Sequence, residues 1–373
     1  MINKLDWSFE IADRVHSGEI IPWDELCKLF PILEEMKSIG QSKEYHGEGN
    51  VFNHTKMVVE SLVGDFEWLD LSKQNASALF LSALFHDVGK IETTVEEKGV
   101  FSSSGHSAKG ARIVRNLLRD VVPFEIREYI CNMVLLHMLP VYFIEKEDPL
   151  YSICASSYTL INRDLDILAN ADCNGRICGN NNSLDAIKIF GDFCEENECL
   201  EFPKRFLSDH SRFLYFFERK GHPNLNRYHD CKGTVHIMSG LPGAGKDFYI
   251  KKNLSHLPSV GLDDIRDEQG VGPLDGSGRV YVEAKERCRQ NMREGKDFVF
   301  NATNFLKQTR ARWIRLFNDY NYRVEIHYLE PLFSVLMKQN LSREKKVPEG
   351  IVGQMFEKLE PPTLLECHKL IIG

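Results

Sequence analysis

The sequence has no apolar run near the ~20 residues needed to cross a bilayer. Its start, Met1-Ile2-Asn3-Lys4-Leu5-Asp6, lacks the basic-then-apolar pattern of a secretory leader. No membrane association is expected. Cys-x-x-Cys pairs are absent among the ten cysteines, and the closest spacings, Cys173/Cys178 and Cys194/Cys199, are not those of a zinc ribbon. Reduced thiols in a cytoplasmic protein are therefore expected. Basic charge is in deficit, with 46 Lys and Arg against 54 Asp and Glu and a formal net charge of −8. That excludes a protein that coats nucleic acid non-specifically. A local basic groove remains possible, because recognising a strand end takes few phosphate contacts. Internal repeats and low-complexity tracts are also missing, and nothing in the sequence sets an oligomeric state.

What is present divides in two. A chain of 373 residues is long for one domain, and 43% hydrophobic residues suffice for a core in each half. Over 1–220, apolar residues recur at helical spacing: Val58, Val59, Leu62; Leu79, Phe80, Ala83, Leu84; Ile113, Val114, Leu117, Leu118; Ile130, Met133, Val134, Leu136. Strand-like alternation is scarce there, and the Asn- and Gly-rich stretch 174–183 reads as a loop. Residues 221–232 read as a linker. From 233 to 373 the pattern changes to strand–helix alternation. Strands are expected at Thr234–Met238, Phe298–Phe300 and Arg323–Leu329, with helices at Val280–Arg293 and Gln308–Asp319. Such alternation predicts a parallel sheet with crossover helices. The fold class expected is multidomain, with an all-α domain followed by an α/β domain.

The first half offers His54, His86, Asp87, His106, His137 and Asp172 as candidate metal ligands. Singly, each histidine is more often a surface or satisfied core residue. Their setting argues otherwise. His86-Asp87 ends the apolar run Ala83-Leu84-Phe85, His137 follows Val134-Leu135-Leu136, and Asp172 ends Ile167-Leu168-Ala169-Asn170-Ala171. Unpaired polar groups are costly in such places, and several of them together ask for a common partner. One helix cannot surround an ion, so ligands from several helices are needed. Nitrogen and carboxylate donors together suit Mn, Fe, Co, Ni or Zn, and such a cluster supports attack of activated water on phosphorus. Asp164-Leu165-Asp166 has the Asp-x-Asp spacing of a haloacid dehalogenase nucleophile. It lacks the following Gly-Thr and a preceding strand, and reads as polar positions on a helix.

The run Gln41-x-x-x-Tyr45-His46-x-x-Gly49-x-x-x-Asn53-His54-Thr55, with His86-Asp87-x-Gly89-Lys90, Gly105-His106-x-x-x-Gly110-Ala111, His137 and Ala171-Asp172, resembles the HD phosphohydrolase superfamily over about 40–180. The closest pattern is the HD domain of some tRNA nucleotidyltransferases. The resemblance implies one metal held by His54, His86, Asp87 and Asp172. In binuclear members a second lies between Asp87, His106 and His137, and Lys90 faces substrate phosphate. The superfamily includes phosphodiesterases, nucleotidases and 2′,3′-cyclic phosphodiesterases.

In the second half, Gly240-Leu241-Pro242-Gly243-Ala244-Gly245-Lys246 follows a strand and opens a helix. This is the setting of a phosphate-binding loop for ATP or another NTP with Mg or Mn. The backbone of Gly243, Ala244, Gly245 and Lys246 is expected to cradle phosphates, with Lys246 reaching the β- and γ-phosphates. Asp247 stands where Ser or Thr normally meets magnesium. Either it binds the metal, directly or through water, or it only caps the helix. Asp263, in Gly261-Leu262-Asp263-Asp264-Ile265-Arg266, is placed to accept a proton from an attacking hydroxyl. Arg266 is suited to an acceptor phosphate, and Arg343 to charge on the transferring group. Arg310, Arg312 and Arg315 read as a solvated helix face, with a nucleic-acid contact as the alternative.

The Gly-x-Pro-Gly-x-Gly-Lys loop, Asp263-Asp264-x-Arg266, Ala302-Thr303-Asn304, Asn340-x-x-Arg343 and Val347-Pro348 resemble, in order, the kinase domain of phage-type polynucleotide 5′-kinases over about 234–360. The resemblance implies Asp263 as general base, Arg266 as acceptor clamp and Arg343 as lid arginine. Two positions depart from it: Asp247 for Ser/Thr, and Ala302 for an acidic residue. The order of the halves resembles the bacterial HD-Pnk family of bifunctional end-healing enzymes. That implies action on RNA or DNA ends, with removal of a 3′-phosphate, 2′-phosphate or 2′,3′-cyclic phosphate by the first half. The second half would phosphorylate a 5′-hydroxyl, in functional partnership with a polynucleotide ligase. The alternatives are a small-molecule kinase fused to a nucleotidase, and a nucleotide-gated regulator without catalysis.

Overall fold

The computed structural model describes residues 7–42, 46–177, 182–228, 230–272, 277–343 and 346–373. Tyr45 of the first motif, Cys178 to Asn181 of the expected loop, His229 of the expected linker and Glu344-Lys345 beside Arg343 lie outside them. The chain forms two compact units, Met1–Arg205 and Phe206–Gly373.

The first unit is helical because its apolar residues recur at three and four. Its organising element is helix Lys73–Phe85. Ser72 caps the start, accepting from Asn75 N at 3.3 Å, and every residue from Ala76 to Phe85 is buried. A helix apolar on all sides belongs at the centre of a bundle. Helices Val51–Val63, Phe124–Leu136 and Asn162–Asn174 surround it. One local exception to the all-helical expectation is a short hairpin, β1 (Val95–Glu97) and β2 (Val100–Ser102). Lys98 and Gly99 turn it with φ of 54° and 79°. With three residues per strand, mostly exposed, there is too little alternation for a sequence pattern to register.

The second unit is built on a five-stranded, all-parallel sheet: β3 (Gly233–Ser239), β4 (Ser259–Gly261), β5 (Phe298–Asn301), β6 (Tyr322–Tyr328) and β7 (Lys369–Ile372), in the order β4-β5-β3-β6-β7. Val235, Ile237, Phe298, Phe300, Val324 and Ile326 turn one face into a core shared with Val280, Trp313 and Phe317 of the crossover helices. The chain leaves central β3 toward one edge and later returns to the other side. That reversal opens a crevice at the carboxyl ends of the strands, where open α/β sheets bind ligands.

Two expectations change here. Helix Asp209–Glu218 sits with the second unit, although the sequence reading assigned 1–220 to the helical domain. Phe213 enters the sheet core, and the Arg212 guanidinium donates to the carbonyls of Cys367 and His368 at 3.2 and 2.6 Å. An amphipathic stripe shows that a helix is half-buried, not which core it joins. Arg310 is not on a solvated face, although Arg312 and Arg315 are exposed. It is fully buried, forms a bidentate pair with Glu366 (2.9 Å twice), and donates to Asn304 O and Glu360 O. Removing one partner of a buried pair strands the other charge, which costs about 3–5 kcal/mol. Glu366→Ala should therefore lower the unfolding free energy of the second unit by an amount of that order, seen as a lower denaturant midpoint. A midpoint unchanged in urea unfolding followed by fluorescence would show that the pair is dispensable.

Candidate functional sites

Helix Lys73–Phe85 delivers His86 and Asp87 into the bundle interior, 1% and 2% exposed. Four further helices bring the remaining groups to the same place. His54 lies in the first turn of Val51–Val63, His106 opens His106–Leu118, His137 follows Phe124–Leu136, and Asp172 lies in the last turn of Asn162–Asn174. Gly89 makes the approach possible: a Cβ there would sit 2.0 Å from His106 O.

The last carbonyls of a helix have no partner of their own. Here two of them fix histidine tautomers. His86 Nδ1 bonds Ala83 O at 2.8 Å and His137 Nδ1 bonds Val134 O at 2.7 Å. His106 Nδ1 bonds Ser103 O at 2.9 Å, and His54 Nδ1 bonds Gly175 O at 3.2 Å. A carbonyl only accepts, so each Nδ1 carries a proton and each ring turns its Nε2 toward the centre. These Nε2 atoms face each other, His54 with His86 and His106 with His137, each pair 3.3 Å apart. In its neutral form each of these nitrogens offers a lone pair, the kind of donor a transition ion takes.

Asp87 lies between the pairs. Its Oδ2 is 3.6 Å from His54 Nε2 and 3.4 Å from His86 Nε2; its Oδ1 is 3.4 Å from His106 Nε2 and 3.9 Å from His137 Nε2. Asp172 Oδ1 adds a third group to the first pair, 3.0 Å from His54 Nε2. All six candidate ligands named from the sequence thus surround one small volume, in two sets that share Asp87. Burial opposes ionisation of Asp87, but Lys90 and His86 hold its carboxyl well below the usual range. Burial and the neighbouring His86 push His137 down to about 3, so it is neutral. Ionised carboxylate and neutral imidazole are the forms a transition ion needs.

Lys90 Nζ reaches Asp87 Oδ2 and Gln41 Oε1, each at 2.7 Å. The buried Gln41 amide nitrogen has no partner among the described residues. Arg176 grips Asp172 from behind, its Nε 3.1 Å from Oδ1. Glu48 was not singled out by sequence reasoning. Its Oε1 lies 3.1 Å from His54 Nδ1 and 2.8 Å from His46 Nδ1, and its Oε2 accepts from Ile177 N at 3.1 Å. Against the penalty of burial, these bonds bring Glu48 down to about 2. A carboxylate behind a ligand histidine orients the ring and raises its basicity. Its one signal in the sequence is its place between His46 and His54.

In the second unit the phosphate loop runs from β3 into helix Lys246–Asn253. Gly243 has φ +85°, and a Cβ on it would lie 2.5 Å from Leu336 O. Gly240, Ala244 and Gly245 complete the turn, and Gly240 N donates to Thr303 O at 2.8 Å. Asn304 donates to Met238 O at 2.9 Å and Asn340 brackets Val347 through 2.7 and 3.3 Å bonds. The Thr303-Asn304 and Asn340 positions thus hold loops together. Asp247 accepts from Asn301 Nδ2 at 2.7 Å, which places its carboxylate at the end of β5, next to Ala302. Asp263 is 72% exposed, with Arg266 Nη1 at 2.7 Å and Arg343 Nη2 at 3.6 Å. Lys246 Nζ turns back onto the carbonyls of Gly240 and Leu241 at 2.9 and 3.1 Å. Burial, aided by Arg343, pushes it down to about 8. A polyphosphate brings negative charge that favours the ammonium form and raises this value. Nucleotide binding should then take up about half a proton at pH about 8 and almost none at pH about 6. Calorimetry in buffers of different ionisation enthalpy measures this, and heats independent of buffer at both pH values would contradict it.

Residues 51–171 match the family described as HD domain, and residues 235–362 match the family described as AAA domain. The L-seryl-tRNA(Sec) kinase of Methanococcus maripaludis is 22% identical over 135 residues, covering 34% of this chain. The aligned part spans 52%, about half, of that relative's length. Among the described residues, no helix is long and apolar enough to cross a membrane. The chain therefore joins a helical HD domain to a P-loop kinase-like α/β domain with a five-stranded parallel sheet.

Proposed function

We propose that this chain heals nucleic-acid ends: the HD domain removes a 3′-phosphate, 2′-phosphate or 2′,3′-cyclic phosphate, and the kinase-like domain phosphorylates a 5′-hydroxyl. The observation that carries the reading is the exposure of Asp263 beside two arginines. A general base on open surface, flanked by cations, suits the end of a polymer with a neighbouring phosphate better than an enclosed small molecule. The similar archaeal kinase is named for an acceptor carried on a tRNA, which favours a nucleic-acid-linked hydroxyl here too.

In the HD domain, His54, His86, Asp87 and Asp172 would hold one transition ion, and Asp87, His106 and His137 a second. Bound there, such ions supply Lewis-acid activation of water and neutralise charge on the phosphate. The chain does the rest. Backbone carbonyls and Glu48 fix the imidazole tautomers, Lys90 presents an ammonium to substrate phosphate, and the Gln41 amide is available to donate to a phosphate oxygen. In the kinase-like domain, Lys246 leaves its two carbonyls for the β- and γ-phosphates of the NTP. Asp263 takes the proton of the 5′-hydroxyl as its oxygen bonds the γ-phosphorus, the bond to the bridging oxygen breaks, and the NDP departs. Arg266 orients Asp263 and meets the acceptor phosphate; Arg343 offsets charge on the transferring group.

An oligonucleotide with a 5′-hydroxyl and a 3′-phosphate, incubated with ATP and manganese and resolved by mass, tests both halves. The 5′-phosphate should appear with the parent protein and fall about 10²–10⁴-fold in Asp263→Ala. Loss of the 3′-phosphate should fail only in Asp87→Ala. No change at either end would overturn the reading, and turnover of free nucleosides instead would favour a small-molecule kinase fused to a nucleotidase. Asp247 beside Ala302 also suggests that a metal-facing carboxylate has moved between these positions. Asp247→Ala should then lose more magnesium-dependent kinase activity than Asp247→Ser, and equal losses would argue for a mere helix cap.

A further inference from the structure

The sheet of the kinase-like domain has a polar face that its phosphate chemistry does not use. Parallel register sets His236 on β3 opposite Glu325 on β6, with His327 two residues further along β6. Val235, Ile237, Val324 and Ile326 point into the core, so alternation puts His236, Glu325 and His327 together on the opposite face. We propose that these three side chains form a binding site for a divalent transition ion, separate from both phosphate sites.

The donor atoms converge. His236 Nδ1 is 3.0 Å from His327 Nε2 and 3.7 Å from Glu325 Oε2. One donor atom from each of the three residues falls within 4.8 Å of the others. Arg323 Nε holds Glu325 Oε1 at 3.3 Å, which leaves Oε2 for the histidine side. Tyr249 Oη lies 3.0 Å from His327 Nδ1. A tyrosine oxygen that accepts this N–H leaves Nε2 as a lone pair, the outer-shell arrangement typical of ligating histidines. Burial lowers the pKa of both rings, that of His327 to about 4. Lys369 and His256 also act on the cluster, and their charge opposes a cation. Two imidazoles and a carboxylate select zinc, cobalt, nickel or copper over magnesium, which prefers oxygen donors.

In a second histidine cluster of this unit a backbone N–H fixes the tautomer. His368 Nδ1 accepts from Val324 N at 3.0 Å, so its Nε2 carries a proton and donates to His210 Nδ1 at 3.0 Å. That pair is a completed hydrogen bond. The position of the His236 site gives a bound ion a consequence: β3 runs into the phosphate loop and Tyr249 stands on the loop's helix. An ion would cross-link β3 to β6 and reach that helix through Tyr249, stabilising the folded unit.

The test uses the full chain, stripped with chelator, re-equilibrated with zinc, desalted and assayed for metal per chain. His54→Ala/Asp87→Ala disables the HD centre, so that double variant is the background. There His236→Ala and His327→Ala should each hold one zinc fewer per chain than the background, and zinc should no longer raise their melting temperature. Glu325→Gln, which keeps the size of the side chain, should weaken zinc affinity about tenfold and serves if a histidine variant fails to fold. Zinc content and melting shift unchanged across these variants would overturn the proposal and leave the two rings as a hydrogen-bonded pair.

Discussion

A carboxylate at the end of a helix buried from Ala76 to Phe85 is among the least favourable groups to bury, and Asp87 is 2% exposed. The helical domain is arranged around this cost. Lys90 neutralises part of the charge, four histidine rings crowd both oxygens, and five helices end or begin there. The helix ends do more than converge. Their carbonyls accept from Nδ1 of His86 and His137 and turn the Nε2 atoms toward Asp87 and toward His54 and His106 respectively. The bundle that solves its own termini thereby prepares a site for cations. Glu48 and Arg176 extend the same logic outward by holding His54 and Asp172 in place.

The kinase-like domain has the opposite problem, an excess of unmet positive character awaiting an anion. At the head of helix Lys246–Asn253, the buried Lys246 ammonium donates to two neutral carbonyls rather than to a carboxylate. Arg266 and Arg343 both lean on one exposed carboxylate, Asp263. An incoming polyphosphate and an acceptor phosphate would release these cations to their tasks. One chain thus carries a site poised for cations and another poised for phosphate, which fits paired removal and addition of phosphoryl groups.

Much of this was legible in the sequence, for reasons particular to the residues. His86-Asp87 was conspicuous because it interrupts an apolar helix, and the glycine loop because it follows a strand. β3, β5 and β6 announced themselves by runs of branched and aromatic residues. β4 and β7 did not, being three and four residues long at the sheet edges. Helix Asp209–Glu218 looked like the helices before it, since its allegiance is set by Arg212 reaching chain segments some 150 residues away. Arg310 and Glu48 were hidden for a similar reason: each is explained by a partner whose proximity only the fold creates, Glu366 in one case and His54 in the other.

The claim on which the account rests is that Asp87 joins two cation sites. Anomalous diffraction from crystals grown with manganese, recorded on and off the metal edge, addresses it directly. The account predicts two peaks, one among His54, His86, Asp87 and Asp172 and one among Asp87, His106 and His137, on either side of the Asp87 carboxylate. Crystals with manganese bound elsewhere and none beside Asp87 would contradict it.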